Sequence, residues 1–411
     1  MMIKLFEEYS RKTVIGGLGN RVEKERFIEF FDTYNSLKMS DADIKKLIKL
    51  DKEYEEIRHL RKTAYMKEIT NLEEEKDKFF NELKKGKKYN PIFRHHPQPY
   101  DRNKMAEKAK NLIKEFQKFD CFLSKYYIER LEFLVTYAEL KKMDMRSIKY
   151  GQGMLDLYGG SVDPRLVSEA KTIISQNPYK KERESQDFLN ANELKKIAER
   201  ELKILGYDKW KVTIEDNILP RMCVKDTYTV NINKNAKFGK NTIPGLLAHE
   251  LAGHVGRRFY GEKTGLNLFR GGLTGKNQFD EGLAIYNSLQ VKDIKPNVLF
   301  NIAFFVLLAD KCTEMDFYDL FKYGKNYIKN NDDKLFSKVT RIKRICEDTA
   351  MLFGDIEEQE YLSGYLLVNK MSDEQRDEIL KFNVGPDNFS DLDRIKAFLN
   401  LNSFHSTTNK E

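Results

Sequence analysis

The sequence predicts a mostly helical α+β protein with a small antiparallel sheet. Apolar residues recur at helical spacing through most of the chain, as at Phe27, Phe30, Phe31 and Tyr34. Alternation of apolar and polar residues, which is typical of strands, is confined to about residues 211–233. The 411 residues include 27 Phe and 21 Tyr, too much aromatic surface to leave in water, so we expect the chain to fold.

Composition and charge exclude several classes of protein. The 72 Lys and Arg against 64 Asp and Glu leave a net charge of +8, which predicts no nucleic-acid partner, although a local basic patch would suit an acidic protein partner. The four cysteines lack CxxC spacing, which favours a reducing, cytoplasmic location. Charged residues near the amino terminus leave no apolar signal-peptide region. The longest apolar stretch, residues 298–309, is shorter than the roughly 18 residues that cross a bilayer, so it predicts a buried core helix rather than a membrane segment.

Breaks in the helical pattern divide the chain into four predicted regions. Charged amphipathic helices occupy residues 1–85, and Ser40 with Asp43 three positions later predicts the start of one of them. Glycines and prolines then begin a loop and helical connecting region, residues 86–150. The third region, residues 151–402, contains the strands and the motif described below, and residues 403–411 form a polar tail.

The predicted sheet immediately precedes that motif. Val212 and Ile214 alternate with polar residues, and Val230 and Ile232 do so again. Residues 225–227 can form the turn of a hairpin between these strands, which predicts an antiparallel arrangement.

Two histidines and a glutamate lie in one predicted helix, in the HExxxH sequence His249-Glu250-Leu-Ala-Gly-His254. Thr242 is expected to cap this helix and Gly261 to end it. Zinc on a helix requires two imidazoles on one face and a carboxylate beside them that activates water. The familiar HExxH spacing meets this requirement, because four residues turn about 400° and leave the two rings about 40° apart.

The extra residue of HExxxH would separate the rings by about 140° on a regular α-helix. A π-bulge absorbs one residue and restores a shared face, and Gly253 makes such a distortion inexpensive. The alternative is that His249 and His254 are ordinary polar residues of a half-buried helix.

A third ligand is predicted 27 residues after His254. The sequence Asp280-Glu281-Gly-Leu-Ala begins another apolar-periodic helix, and Glu281 is placed to complete the set. Two histidines, one glutamate and an open position would form a catalytic zinc site. The helix dipole alone would also stabilise an acid in a first turn, so a purely structural role stays open.

Three segments together resemble the tyrosine carboxypeptidase domain of the microtubule-associated tyrosine carboxypeptidases and their bacterial relatives, which carry a QEGLA motif. Residues 246–254 are similar to the family's HExxxH helix, and residues 269–275 (Phe-Arg-Gly-Gly-Leu-Thr-Gly) to its Arg-x-Gly-Leu loop. Residues 280–284 correspond to QEGLA with Asp280 in place of Gln. Weaker similarity extends over about residues 85–370 and includes Arg-rich and Tyr-Leu-x-Gly segments.

The resemblance implies a zinc-dependent metallocarboxypeptidase whose zincin-like catalytic region spans residues 151–402. His249, His254 and Glu281 would bind Zn²⁺, and Glu250 would be the general base that takes a proton from the attacking water. The substrate would be the C-terminus of a peptide or protein that ends in tyrosine or phenylalanine.

A carboxypeptidase must also recognise the terminal carboxylate, for which a bidentate arginine is the favoured chemistry. Arg270, on the loop between the ligands, is the first candidate and Arg344 the second. Tyr361 could donate a hydrogen bond to the tetrahedral intermediate. By analogy with zincin-like proteases, the strand at residues 228–233 would be an edge strand that pairs with the substrate.

Two other functions remain open from the sequence. A helical adaptor could retain the metal site without catalysis and bind acidic partners through its lysine-rich first 90 residues. An endopeptidase or aminopeptidase could use the same site. The retained Glu250 favours an enzyme, because a chain without catalysis has no need of the base.

Overall fold

The computed structural model describes residues 37–62, 69–95, 102–180, 188–216, 218, 220–225, 227–291, 297–402 and 404. Within them the predicted α+β class, mostly helical with a small sheet, is confirmed. The helix predicted around residues 27–34 and the predicted polar tail, apart from Phe404, lie outside the described residues.

In the described part of the chain, seven α-helices precede the helical stretch that contains the HExxxH sequence: α1 (Asp41–Lys62), α2 (Leu72–Lys84), α3 (Arg102–Gln117), α4 (Ser124–Leu140), α5 (Ile148–Asp156), α6 (Pro164–Gln176) and α7 (Ala191–Ile204). The predicted start of α1 is confirmed, because the backbone N–H of Asp43 donates to Ser40 Oγ at 3.2 Å. The HExxxH sequence itself lies in one continuous helical stretch, residues 243–262, which we call the HExxxH helix.

The HExxxH helix consists of α8 (Ile243–Leu247), a π-helix (Ala248–Val255) and α9 (Gly256–Glu262). The α-helices that follow are α10 (Asn267–Gly271), α11 (Lys276–Leu289), α12 (Val298–Lys311), α13 (Phe317–Gly324), α14 (Asp332–Lys343), α15 (Glu360–Asn369), α16 (Asp373–Phe382) and α17 (Leu392–Asn402).

A three-stranded sheet precedes the HExxxH helix. Its strands are β2 (Lys211–Glu215), β3 (Met222–Lys225) and β4 (Thr229–Asn233), in the order β2-β4-β3. β3 and β4 form the expected antiparallel hairpin, whereas β2 pairs with β4 in parallel. β1 (Phe188–Leu189) and β5 (Phe238–Gly239), which come before and after these strands in the sequence, form a separate short antiparallel pair.

The expectation that residues 228–233 form an edge strand is wrong. β4 is the central strand of the three, and β3 lies at the end of the order. The alternation at Val212 and Ile214 was expected to mark the hairpin partner of β4. Instead the hairpin partner of β4 is β3, which is half-buried and has no comparably clear alternation. β2 pairs with the opposite edge of β4.

Two large apolar cores hold most of the helices together, and a third, smaller one packs the sheet against α7 and the HExxxH helix. α12 lies in the first core, where Phe304, Val306 and Leu308 are fully buried, so the predicted core helix is confirmed. The first core includes residues from Ile69 to Leu362 and the second from Leu37 to Phe404, so both draw on either side of residue 150. The region boundaries near residues 85 and 150 stay predictions. Among the described residues, no helix is both long and apolar enough to cross a bilayer.

Small residues let α11 pack unusually closely against its neighbours. A Cβ atom on Gly253 would lie 2.9 Å from Ala284 Cβ, and one on Gly282 would lie 2.3 Å from the backbone carbon of Gly364. The first contact joins α11 to the π-helix and the second joins it to α15. This packing brings the start of α11, and Glu281 with it, next to the two histidines.

Candidate active site

The HExxxH helix departs from α-helical geometry at the position where the spacing requires it. Residues Ala248–Val255 form a π-helix of eight residues, flanked by regular α-helix on both sides. The predicted distortion is therefore confirmed, and it is longer than a single bulge. The rings of His249 and His254 consequently lie on a shared face, with their centroids 4.9 Å apart.

Glu281 completes a cluster of three ligand atoms. Its Oε2 atom lies 3.8 Å from His249 Nε2 and 3.7 Å from His254 Nε2. One donor atom from each residue falls within 4.8 Å of the other two. Glu281 Oε2 is buried and has no hydrogen-bond partner in the described structure.

These separations suit a metal ion better than they suit hydrogen bonds. Three donors at zinc-ligand distances around a tetrahedral ion lie about 3.4 Å from one another, whereas a hydrogen bond between N and O is about 2.9 Å long. A buried carboxylate oxygen without a donor is costly, and a cation between the three groups would compensate it. The donor set of two imidazoles and one carboxylate fits Zn²⁺.

Asp280 lies behind His254 and was assigned no role from the sequence. Its Oδ1 atom is 3.2 Å from His254 Nδ1, on the opposite side of the ring from the Nε2 that faces Glu281. Lys276 Nζ lies 3.2 Å from Asp280 Oδ2 and Arg257 Nη1 lies 3.8 Å from Oδ1. A carboxylate in this position fixes which ring nitrogen of a ligating histidine is protonated.

Burial and neighbouring charges shift the pKa values of the two histidines in opposite directions. Burial, assisted by the charge of His254, lowers the pKa of His249 to about 3. Burial also opposes the charged form of His254, but the Asp280 and Glu281 carboxylates outweigh it and raise the pKa of His254 to about 9. The pKa of Asp280 falls well below its usual range despite burial, because Lys276 and His254 lie beside it.

Glu250 is buried next to the ligands without being one of them. Burial raises the pKa of its carboxyl group to about 7, with a smaller opposing effect from the charge of His254. The middle of β3 faces it: Cys223 lies close enough for the charge of Glu250 to act on the thiol, and β3 packs against the π-helix. The base predicted from the sequence therefore lies between the ligand cluster and the end strand of the sheet.

Comparison with known families identifies the family of the chain. The family model described as microtubule-associated tyrosine carboxypeptidase matches residues 77–406, most of the chain. The chain belongs to the microtubule-associated tyrosine carboxypeptidase family. Membership supports the assignment of carboxypeptidase, a hydrolase. A comparison with curated individual proteins finds no match.

An apolar cavity of about 220 Å³ opens beside the first histidine of this family member. Leu246, Ile285 and Val298 form apolar walls, and His249 and Glu250 lie at one side. Most of the exposed lining is apolar, with Asn241, Thr242 and Ser288 as polar residues of the wall. The cavity is on the amino-terminal side of the HExxxH helix and adjoins the ligand cluster.

The two arginines predicted for carboxylate binding are engaged with acidic side chains. Arg270, in α10, is buried; its Nη1 lies 3.1 Å from Glu55 Oε1 and its guanidinium stacks over the ring of Tyr228. Arg344 Nη2 lies 3.0 Å from Asp355 Oδ2 and 2.8 Å from Glu358 Oε1. Their roles in substrate binding stay predictions.

Tyr361 does lie near the ligand cluster. Burial and then the Glu281 carboxylate raise the pKa of its phenol well above the usual value. The guanidinium of Arg341 lies 5.0 Å from the centre of the Tyr361 ring and 4.8 Å from that of Phe305.

Sequence reasoning missed Arg341 as a site residue. Its charge is close enough to act on both His249 and Glu281, and its side chain is 35% exposed. Its Nε donates to Glu358 Oε1 at 2.6 Å, and that oxygen also accepts from Arg344. The Arg-rich segment at residues 341–344 indicated that an arginine of this region lies near the site. It did not show which arginine reaches the ligands, because that depends on how α14 is rotated against α15.

Proposed function

We propose that the chain is a zinc-dependent carboxypeptidase that removes a C-terminal tyrosine or phenylalanine from a peptide or protein. The observation that carries the proposal is the convergence of His249, His254 and Glu281 around a buried carboxylate oxygen without a hydrogen-bond donor. Glu250, on the same helix, supplies the base. The bound ion would lower the pKa of a water molecule and polarise the carbonyl of the last peptide bond.

Three residues near the ion would have distinct roles in the reaction. Glu250 accepts the proton of the attacking water and returns it to the departing nitrogen, so that the C-terminal residue leaves with a neutral amino group rather than as an amide anion. Asp280, whose Oδ1 lies 3.2 Å from His254 Nδ1, would favour the tautomer of His254 with Nδ1 protonated and Nε2 free to bind the ion. Tyr361, close to Glu281, can donate from its phenol to the oxyanion that forms at the former carbonyl.

The apolar cavity is suited to the side chain of the departing residue. It directly adjoins His249 and Glu250, so a side chain inside it would place its own amide nitrogen near the base. Its apolar walls favour an aromatic ring, and Thr242 and Ser288 could bond the hydroxyl of tyrosine. Tyrosine and phenylalanine would therefore both enter, with tyrosine gaining the polar contact.

Arg341 is the arginine best placed to bind the terminal carboxylate. Its charge acts on Glu281, whereas Arg270 pairs with Glu55. The Nε bond of Arg341 to Glu358 holds the guanidinium plane in one orientation. A planar guanidinium binds a carboxylate through two parallel bonds, so a fixed plane favours it. Arg344 shares Glu358 and would support Arg341 from behind.

The end strand β3 would complete a zincin-like cleft. It packs on the π-helix beside Glu250 and lies at the end of the strand order. An extended substrate could add to this strand by backbone hydrogen bonds and continue across the base into the apolar cavity. This arrangement would leave room for only one residue beyond the scissile bond if Arg341 closes the far side.

A peptide library with a varied last residue tests the proposal by mass spectrometry, with and without a zinc chelator. We expect loss of a single C-terminal residue, fastest for tyrosine and phenylalanine, abolished by the chelator and restored by added Zn²⁺. Glu250→Gln serves as the matched inactive control. Internal cleavage or loss of the first residue would indicate one of the other peptidase classes, and no cleavage of any peptide by the zinc-loaded protein would contradict the proposal.

A further inference from the structure

A second cavity, of about 410 Å³, lies at the other end of the HExxxH helix. Its size is within the roughly 300–1,000 Å³ of small-ligand pockets. It differs from the apolar cavity in charge: Arg58, Arg130, Arg258 and Lys276 line it against two acids, Glu360 and Asp387. More than half of its exposed lining is polar.

Arg130 shows that this cavity is more than a solvated basic surface. The residue is only 9% exposed, although it carries a full charge, and its Nε has no hydrogen-bond partner in the described structure. Its guanidinium lies 5.7 Å from the centre of the Phe133 ring, which also lines the cavity. A buried guanidinium with an unused donor is costly unless a ligand satisfies it.

Thr274 adds a second unused group to the same wall. Its Oγ1 is buried and makes no hydrogen bond in the described structure. Thr274 belongs to the loop between α10 and α11, whereas Arg130 belongs to α4, so two separate elements line one cavity with side chains that each have a buried polar atom without a partner. A hydroxyl and a guanidinium together match the acceptor oxygens of a carboxylate or phosphate.

Three of the four basic residues that line the cavity have hydrogen-bond or ion-pair partners in the protein. Arg58 is held by Glu55 through two bonds, of 2.6 and 2.8 Å, and Lys276 lies beside Asp280. Arg258 donates to the carbonyl oxygen of His254 at 3.0 Å. No acidic partner of Arg130 is found within the described residues. An anion in the cavity would therefore supply the partner that Arg130 lacks.

We propose that this cavity is an oxyanion-binding site, separate from the metal site, in which Arg130 and Thr274 bind the oxygens of a carboxylate or phosphate group. Arg258 connects it with catalysis, since this residue lines the cavity and its charge acts on Glu250, which lines the apolar cavity. The oxyanion is either a free ion or an acidic side chain of the substrate upstream of the scissile bond. The second source rests on the proposed function.

Inorganic phosphate, added to the zinc-loaded protein at matched ionic strength in sodium chloride, tests the site directly. We expect phosphate to raise Tm by at least about 2 °C in the unmodified protein, and Arg130→Gln to raise the Kd for phosphate at least about tenfold. Phosphate that binds at the metal would be unaffected by this change. Arg165→Gln, at an exposed arginine of α6, is the matched control for loss of one charge.

Peptides that end in tyrosine and carry Glu or Gln upstream form the second arm. If the substrate supplies the oxyanion, Arg130→Gln will remove a preference for Glu in kcat/KM, whether or not phosphate binds. Thr274→Val repeats both arms with a nearly isosteric change, in case Arg130→Gln impairs folding. The inference is overturned if neither variant weakens phosphate binding and neither changes the Glu preference. Because the phosphate arm needs no peptidase activity, failure of the proposed function would leave it intact.

Discussion

The metal ligands and the arginines of this chain relate to its sequence in different ways. His249, His254 and Glu281 come from the HExxxH helix and α11, with only the short α10 between them, and all three converge. Arg270 pairs with Glu55, which lies 215 residues earlier. Ligand spacing is set by helical geometry within a short segment, whereas the partner of an arginine is set by distant packing. The difference explains why the first set could be predicted as a unit and the second could not.

Removing a ligand or the base should have the largest effects. We expect His249→Ala to lose both zinc and activity, because two donors cannot hold a catalytic ion. Glu250→Gln should keep close to one zinc per chain and lower kcat by roughly 10²–10⁴ or more, the usual contribution of an acid–base group. Zinc analysis and peptide hydrolysis measured on the same preparations distinguish the two variants.

Two other outcomes would contradict the roles assigned to the base and to the ligands. Full activity of Glu250→Gln would show that Glu250 is not the base. Unchanged zinc content in His249→Ala would show that the cluster around Glu281 is not the metal site. A surface substitution such as Arg165→Gln controls for nonspecific loss.

The sequence predicted the mostly helical class, the core helix at residues 298–309 and the π-distortion, because each depends on local periodicity. The order of the strands was not predictable in the same way. β3 lacks a clear alternation, and its pairing with β4 depends on tertiary packing. The role of Asp280 also escaped sequence reasoning, because its contact with His254 requires α11 to pack against the π-helix.

Asp280 allows the next test, at a residue that touches a ligand without being one. Asp280→Ala removes the acceptor near His254 Nδ1, and we expect zinc affinity to fall roughly 10–100-fold, as for other partners of ligating histidines. Asp280→Gln, the residue of the family's QEGLA motif, keeps an acceptor oxygen and should retain most of the affinity. Competition with a chromophoric chelator measures both. Equal losses in the two variants would show that charge, rather than orientation of the ring, is what Asp280 supplies.

Gly253 tests whether close packing of α11 places Glu281. In Gly253→Ala the new methyl would lie 2.9 Å from Ala284 Cβ and 3.0 Å from its Cα, so α11 must shift. We expect unfolding free energy to fall by about 1–3 kcal/mol and zinc affinity to fall with it.

Gly245→Ala is the matched control for Gly253→Ala, because it lies on the same helix and its methyl would meet only Ser288 O at 3.6 Å. Chemical denaturation and the chelator assay report the two effects separately. If zinc affinity is unchanged in Gly253→Ala while stability falls, the approach of α11 does not determine the position of Glu281.

Substitution of the arginines should have the smallest effect. It distinguishes Arg341 from Arg270 and Arg344, the two candidates that the sequence predicted. Arg341→Gln should raise KM for peptides that end in tyrosine about tenfold with little change in kcat, because a terminal carboxylate loses one charge-assisted contact. The same substitution should leave a C-terminally amidated peptide, which has no carboxylate, hydrolysed at an unchanged rate. Arg270→Gln should instead lower stability, since it leaves Glu55 with one partner fewer. If Arg270→Gln raises KM while Arg341→Gln does not, Arg270 is the residue that binds the terminal carboxylate. Its ion pair with Glu55 must then open when substrate binds.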